Sequence, residues 1–221
     1  MPLPFPPLYA ILDVAAVDSE ASIPEALAES GVRLIQLRDK QASARAIFAA
    51  SKSLVARLSP KGARIMVNDR PDIAAMVGAS GAHVGQDDLP VGAARTICGA
   101  DRWVGVSTHS LEQLQLAVRT SADYIAVGPI FATATKENPD PVVGLDLLRE
   151  ARRLTRKPLV AIGGITIKSA ESVYRAGAYS VAIVSDLLSA PDPAQRAREY
   201  FVIAERVLAE RSESARRGRL N

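Results

Sequence analysis

Apolar residues along the chain follow two rhythms. Short runs, many of them β-branched, recur eight times: LYAIL at 8–12, LIQL at 34–37, RIMV at 64–67, AHV at 82–84, WVGV at 103–106, YIAV at 124–127, LVAI at 159–162 and SVAIV at 180–184. Runs that are apolar at successive positions suit strands buried on both faces, as in a parallel sheet. Between them the apolar positions fall three and four residues apart, which predicts helices over 23–29, 44–58, 71–77, 91–97, 111–118, 145–154, 168–176 and 193–209. Ser43, Ser110 and Asp192 stand where N-caps belong, the last with Pro193 at the first helical position. Gly31, Gly78, Gly99 and Gly177 follow helix ends, where a left-handed residue closes the last turn.

Strand and helix alternate eight times, and each unit takes about 25 residues, the usual pitch of a closed barrel. An open doubly wound sheet uses fewer strands. The expected fold is therefore α/β, a single-domain (β/α)8 TIM barrel. Its catalytic domain is expected over 1–205, with the end of the last helix and a basic, disordered tail over 206–221.

Charge changes this picture little. The chain has 27 Lys and Arg against 24 Asp and Glu, a formal charge of +3. The excess lies from Arg206 onward, where five Arg face two Glu, so the rest of the chain is neutral. Phosphate-backbone binding needs clustered positive charge on a face, so nucleic acid is not an expected partner. The one cysteine, Cys98, excludes an internal disulfide and a Cys-based zinc site. No apolar run reaches the ~18 residues that suggest a membrane span. The opening MPLPFPPLYAILD has no basic segment of a secretory signal. A cytoplasmic protein without membrane partners is expected, with a homo-oligomer left open.

In such barrels chemistry sits just after the strands, and that is where the unusual polar residues fall. After the second strand, Gln36, Arg38 and Lys40 alternate onto one side of an extended segment and suit an anion with several oxygens. A surface salt bridge with Asp39 is the plainer alternative. Asn68 and Asp69 follow the third strand, and Asp88 follows the fourth. Two carboxylates beside cations suggest Mg²⁺ shared with phosphate oxygens, against the alternative that Asp69 caps a helix and Asp88 shapes a turn. Ser107 follows the fifth strand. His109 and the in-strand His83 read as structural, since no third partner completes a catalytic set.

The longest loop, 128–139, carries Thr133, Thr135 and Lys136, an oxyanion cradle or else a solvated connection. Gly163-Gly164 after the seventh strand and Val184-Ser185 after the eighth suit a phosphate approached by backbone N–H groups, or simple tight turns. Two anion-binding ends, one with a metal, imply an enzyme that joins or cleaves phosphorylated small molecules.

With QLRDK, VNDR, HVGQDDLP, GVSTH, GPIFATATK, AIGGI and VAIVS in this order, the chain resembles the thiamine-phosphate synthase family over nearly its whole length. The resemblance implies a transferase that couples 4-amino-2-methyl-5-(diphosphooxymethyl)pyrimidine with a thiazole ethyl phosphate and releases diphosphate, by a dissociative, Mg²⁺-assisted route. It implies that Gln36, Arg38, Lys40, Asn68, Ser107 and Lys136 contact the pyrimidine diphosphate, with Arg38, Lys40, Ser107 and Lys136 as the catalytic set. Asp69 and Asp88 would ligate Mg²⁺. Thr133, Thr135, Gly164, Val184 and Ser185 would form the thiazole-phosphate site. A thiazole tautomerase of the same fold is the alternative, as is a non-catalytic barrel that binds thiazole phosphate. Pro129, where the tautomerase has a histidine, and the retained Asp69 and Asp88 favour the synthase.

Overall fold

The structure is a computed structural model that describes residues 5–17, 22–133 and 140–217, and the side chains as far as residue 214. Its strands are β1 (Leu8–Leu12), β2 (Leu34–Leu37), β3 (Arg64–Asn68), β4 (Gly81–Val84), β5 (Trp103–Thr108), β6 (Tyr124–Val127), β7 (Leu159–Ile162) and β8 (Ser180–Ile183). Each pairs in parallel with the next, and β8 closes on β1 through Tyr9–Ala182 and Ala10–Ile183. The helices are α1 (Val14–Val17), α2 (Ile23–Glu29), α3 (Ala44–Leu58), α4 (Pro71–Val77), α5 (Val91–Cys98) and α6 (Leu111–Val118). They continue with α7 (Gly144–Leu154), α8 (Ile167–Ala176), α9 (Ser185–Leu188) and α10 (Pro193–Arg217). The expected eight-fold barrel is the one observed. The predicted caps form: Ser43 Oγ accepts from Ala46 N, Ser110 Oγ from Gln113 N and Asp192 Oδ1 from Gln195 N. Each such cap stabilises its helix by about 1 kcal/mol.

Strand alternation splits the apolar side chains into two cores. Leu8, Leu12, Ile35, Leu37 and Val67 face outward and pack under the helices with Leu54, Leu148 and Val173. Tyr9, Ile11, Leu34, Met66, Tyr124 and Val160 face inward and fill the barrel. The Tyr124 ring fits because β5 offers Gly105, where an added Cβ would lie 2.1 Å from Tyr124 Cζ. At the N-terminal ends of the strands Phe5 stacks on Trp103 with centroids 5.1 Å apart, and the Arg64 guanidinium lies 4.2 Å over the Trp103 ring. That plug leaves the opposite end as the face with an opening.

Three features depart from the sequence pattern. The single-turn helices α1 and α9 are too short to show a period. The last helix continues to Arg217, eight residues past the predicted end, so the expected disordered tail is helical up to that point. Arg206 and Arg211 in this segment do structural work. Arg206 pairs with Glu171 at 2.7 Å. Arg211 donates to the carbonyls of Tyr174 and Ala178 at 2.8 and 2.6 Å, at the C-terminal end of α8. A cation there meets the negative end of the helix dipole. Replacing Arg211→Met is expected to destabilise the fold by about 1–3 kcal/mol while leaving turnover unchanged. Chemical denaturation and a rate assay on the same preparation check this.

Candidate active site

A cavity of about 850 Å³ opens at the C-terminal ends of the strands. Along one side stand Arg38 and Lys40 from the segment after β2, Asn68 and Asp69 from the end of β3, Asp88 from the loop after β4 and Ser107 from β5. The facing side carries Thr133, Gly163, Gly164, Val184 and Ser185, with Pro129 between the two groups. The structure thus gathers ten of the expected site residues around one space. Gln36 lies one step deeper: it is 2% exposed, and its Nε2 donates to Tyr9 Oη at 2.7 Å. Thr135 and Lys136 lie outside the described residues.

The local geometry bears on the plainer alternatives at Asp39, Asp69 and Asp88. Asp39 accepts from the backbone N–H groups of Gln41 and Ala42, both at 3.0 Å, so it shapes the turn. Among the described residues Arg38 makes no ion pair, which leaves its guanidinium to the cavity that it lines. Lys40 Nζ lies 3.3 Å from Asp69 Oδ2. Asp69 does not cap α4, whose N-cap position is Arg70 and has no side-chain cap bond. Instead Asp69 sits at φ 59°, a left-handed conformation costing a non-glycine residue about 1–3 kcal/mol. Asp88 does shape its turn, accepting from Gly85 N at 2.8 Å, and lines the cavity as well.

Burial, and after it the adjacent Asp88 carboxylate, push the Asp69 carboxyl up from 3.8 to about 6, against the pull of Lys40. Two acids brought together this way are a donor set that a divalent cation would relieve. Among the described residues no cluster of three or more His, Cys, Asp or Glu is placed to hold a metal. Two carboxylates with the rest of the shell left to phosphate and water is the pattern Mg²⁺ takes.

The raised acid has a consequence for metal-free protein. The folded state holds the Asp69 proton more tightly than the unfolded state does. This contribution to stability is therefore lost as pH rises from about 4 through about 6. In EDTA, Asp69→Asn is expected to melt above the unsubstituted protein at pH 8, with the gap closing toward pH 4. Thermal melts across that range check it, and a gap independent of pH contradicts it.

Several residues at the site were not among those expected to act in it. His83 is 7% exposed; its Nδ1 lies 3.0 Å from Tyr124 Oη and its Nε2 2.8 Å from Ser107 Oγ. Burial lowers its pKa to about 4, so it is neutral near pH 7. His109 also lines the cavity. Its Nδ1 is 2.6 Å from the Gly128 carbonyl and its Nε2 3.6 Å from Asp140 Oδ2, which ties the end of β5 to the segment leaving β6. Gln86 Nε2 donates to the Ser107 carbonyl at 2.5 Å. Nothing in the sequence marks Asp140 or Gln86, since both sit among other polar loop residues. Tyr9 and Tyr124 are hidden inside apolar runs.

Comparison with known proteins points one way. The chain matches the family described as thiamine monophosphate synthase over residues 8–187. It is 50% identical over 207 residues to the thiamine-phosphate synthase of Koribacter versatilis (strain Ellin345), covering 91% of this chain and 97% of that one. It is 39% identical over 217 residues to the thiamine-phosphate synthase of Roseiflexus sp. (strain RS-1), covering 96% and 92%. Among solved structures, the thiamine phosphate pyrophosphorylase from Pyrococcus furiosus superposes with a TM-score of 0.82 at 32% identity, over 91% of this chain and 96% of that one.

Proposed function

The chain belongs to the thiamine monophosphate synthase family, and from that membership we propose that its cavity joins a pyrimidine diphosphate to a thiazole phosphate, making thiamine phosphate and releasing diphosphate. The observation that carries this reading is the division of one cavity. Arg38 and Lys40 stand beside Asp69 and Asp88 on one side, and Gly163, Gly164 and Ser185 stand across from them. One side suits a diphosphate with its metal, the other a single phosphate.

The proposed reaction starts with the C–O bond between the pyrimidine methylene and the diphosphate. Its electrons go to the diphosphate, and the methylene carbon is left cationic, stabilised by the amino group on the ring. The thiazole nitrogen then gives its lone pair to that carbon, which forms the C–N bond of the product. No strong protein base is needed. The residues have to hold the leaving diphosphate and keep water from the cation. Arg38 offers a planar fork to the diphosphate, and Lys40 a point charge held in place by Asp69. Ser107 contributes a hydroxyl, and Lys136 a further cation on the same leaving group. Asp69 and Asp88 would hold Mg²⁺, which would supply charge neutralisation for the leaving diphosphate. Asn68 orients the pyrimidine diphosphate, with Gln36 beneath it. Thr133 lines the thiazole side, where the family resemblance also assigns Thr135, and Gly164, Val184 and Ser185 hold the thiazole phosphate.

The compartment in this reading is the cytoplasm, in keeping with a single, buried thiol at Cys98. Among the described residues no helix is long and apolar enough to cross a membrane. The deciding experiment mixes both substrates with Mg²⁺ and follows thiamine phosphate and diphosphate. Formation of both in equal amounts is the expected result. Conversion of one thiazole tautomer into another, with no coupling, would show a tautomerase instead.

A further inference from the structure

A chain of hydrogen bonds crosses the barrel interior and ends at Ser107. Gln36 Nε2 donates to Tyr9 Oη at 2.7 Å. Tyr9 Oη lies 3.0 Å from Tyr124 Oη, and Tyr124 Oη 3.0 Å from His83 Nδ1. His83 Nε2 lies 2.8 Å from Ser107 Oγ. The five side chains come from β2, β1, β6, β4 and β5, and the first four are at most 7% exposed. Packing does not call for such a chain, because phenylalanine would fill the volume of either tyrosine without asking for a partner.

The protons can be followed one at a time. A Gln Nε2 only donates, so Tyr9 Oη receives from Gln36. The proton of Tyr9 then has Tyr124 Oη as its acceptor. The proton of Tyr124 goes to His83 Nδ1, which must be the bare ring nitrogen. The ring proton therefore sits on Nε2 and is given to Ser107 Oγ. That leaves the Ser107 proton directed at the cavity. Reversing the direction would require Gln36 to present its Oε1 to Tyr9 in place of the Nε2 that faces it.

We propose that Tyr9 and Tyr124 are positioning residues: through His83 they fix its Nε2–H tautomer and so make the Ser107 hydroxyl a donor toward the oxygens of the departing diphosphate. This rests on the placement of Ser107 beside the diphosphate given above. The direction matters because a hydroxyl that donated to His83 would turn lone pairs toward a polyanion. A hydroxyl that accepts from His83 meets growing negative charge with a proton already in place.

Nitrogen NMR of ¹⁵N-histidine protein tests the inference directly, since the chain has two histidines and His109→Gln assigns the pair. The expected spectrum shows His83 protonated at Nε2 and bare at Nδ1 in the resting protein. Tyr124→Phe is expected to weaken that preference and lower kcat about tenfold, with the KM for thiazole phosphate unchanged. Tyr9→Phe acts in the same direction with a smaller effect. In a Ser107→Ala background, Tyr124→Phe should cost almost nothing more, because its effect passes through Ser107. A His83 proton on Nδ1 overturns the proposal, as does a Tyr124→Phe loss that is undiminished without the Ser107 hydroxyl. If Tyr124→Phe does not fold, the wild-type spectrum and Tyr9→Phe still decide. A wild-type rate in Ser107→Ala, with the tautomer as expected, sinks the role given to Ser107 rather than the proton order.

Discussion

Asp69→Asn and Asp88→Asn are each expected to lower kcat by roughly 10²–10³-fold, the loss typical when one preorganised stabiliser of transition-state charge is removed. Asparagine is the informative replacement. It keeps the shape of the side chain and, unlike alanine, tolerates the left-handed backbone that Asp69 adopts at φ 59°. Each substitution removes one of the two carboxylates of the proposed metal site. At position 69 it also removes the partner 3.3 Å from Lys40 Nζ, which frees that cation to wander. The loss should therefore be larger at 69 than at 88, and raising Mg²⁺ should recover part of it at 88. The metal-free Asp69→Asn protein should nevertheless be more stable near neutral pH, because the acid it replaces is held at about 6 by burial and by Asp88. Stability gained and turnover lost in one variant identifies a group kept for function at a cost to the fold. Turnover near wild type across a Mg²⁺ titration would falsify the ligand assignment.

The barrel was legible because its strands are apolar on both faces and its helices carry caps. LYAIL, LIQL and YIAV need no context to read as buried strands, and Ser43, Ser110 and Asp192 mark helix starts by a local bond. Single-turn helices such as α1 and α9 leave no period to find. The extension of α10 depends on Arg211 meeting the end of α8, a contact 33 to 37 residues away in sequence. The polar rim of the cavity was legible for the same reason as the strands: Arg38, Lys40, Asn68, Asp69 and Ser107 interrupt or end an apolar run. Its floor was not. Tyr9 reads as one more apolar residue of LYAIL, and only closure of β1 onto β8 and β2 brings its hydroxyl to Gln36 and Tyr124. His83 was read as structural, and it is buried and hydrogen-bonded. The identity of its partners depends on which strands lie across the barrel, which periodicity does not carry.

Gly164→Ala is expected to be the most damaging single methyl on the thiazole-phosphate side. Gly164 sits at φ 62°, and a Cβ there would lie 2.3 Å from the Ala132 carbonyl oxygen and 2.9 Å from Phe131. Those atoms belong to the backbone leaving β6, which cannot yield as a flexible side-chain tip would. The variant must shift either that segment, and with it Thr133, or the turn after β7. Left-handed alanine costs roughly 1–2 kcal/mol and overpacking about 1–3 kcal/mol, so a loss of roughly 2–5 kcal/mol in stability is expected. Either shift distorts the side of the cavity assigned to the thiazole phosphate and leaves Arg38, Asp69 and Asp88 in place. The KM for the thiazole phosphate should therefore rise tenfold or more, while binding of the pyrimidine diphosphate with Mg²⁺ stays near wild type. Isotherms for each substrate alone, taken well below the lowered melting temperature, separate the two effects. Equal weakening of both substrates would mean that the cavity is not divided as proposed, because a local shift at Gly164 would then be reaching the diphosphate side as well.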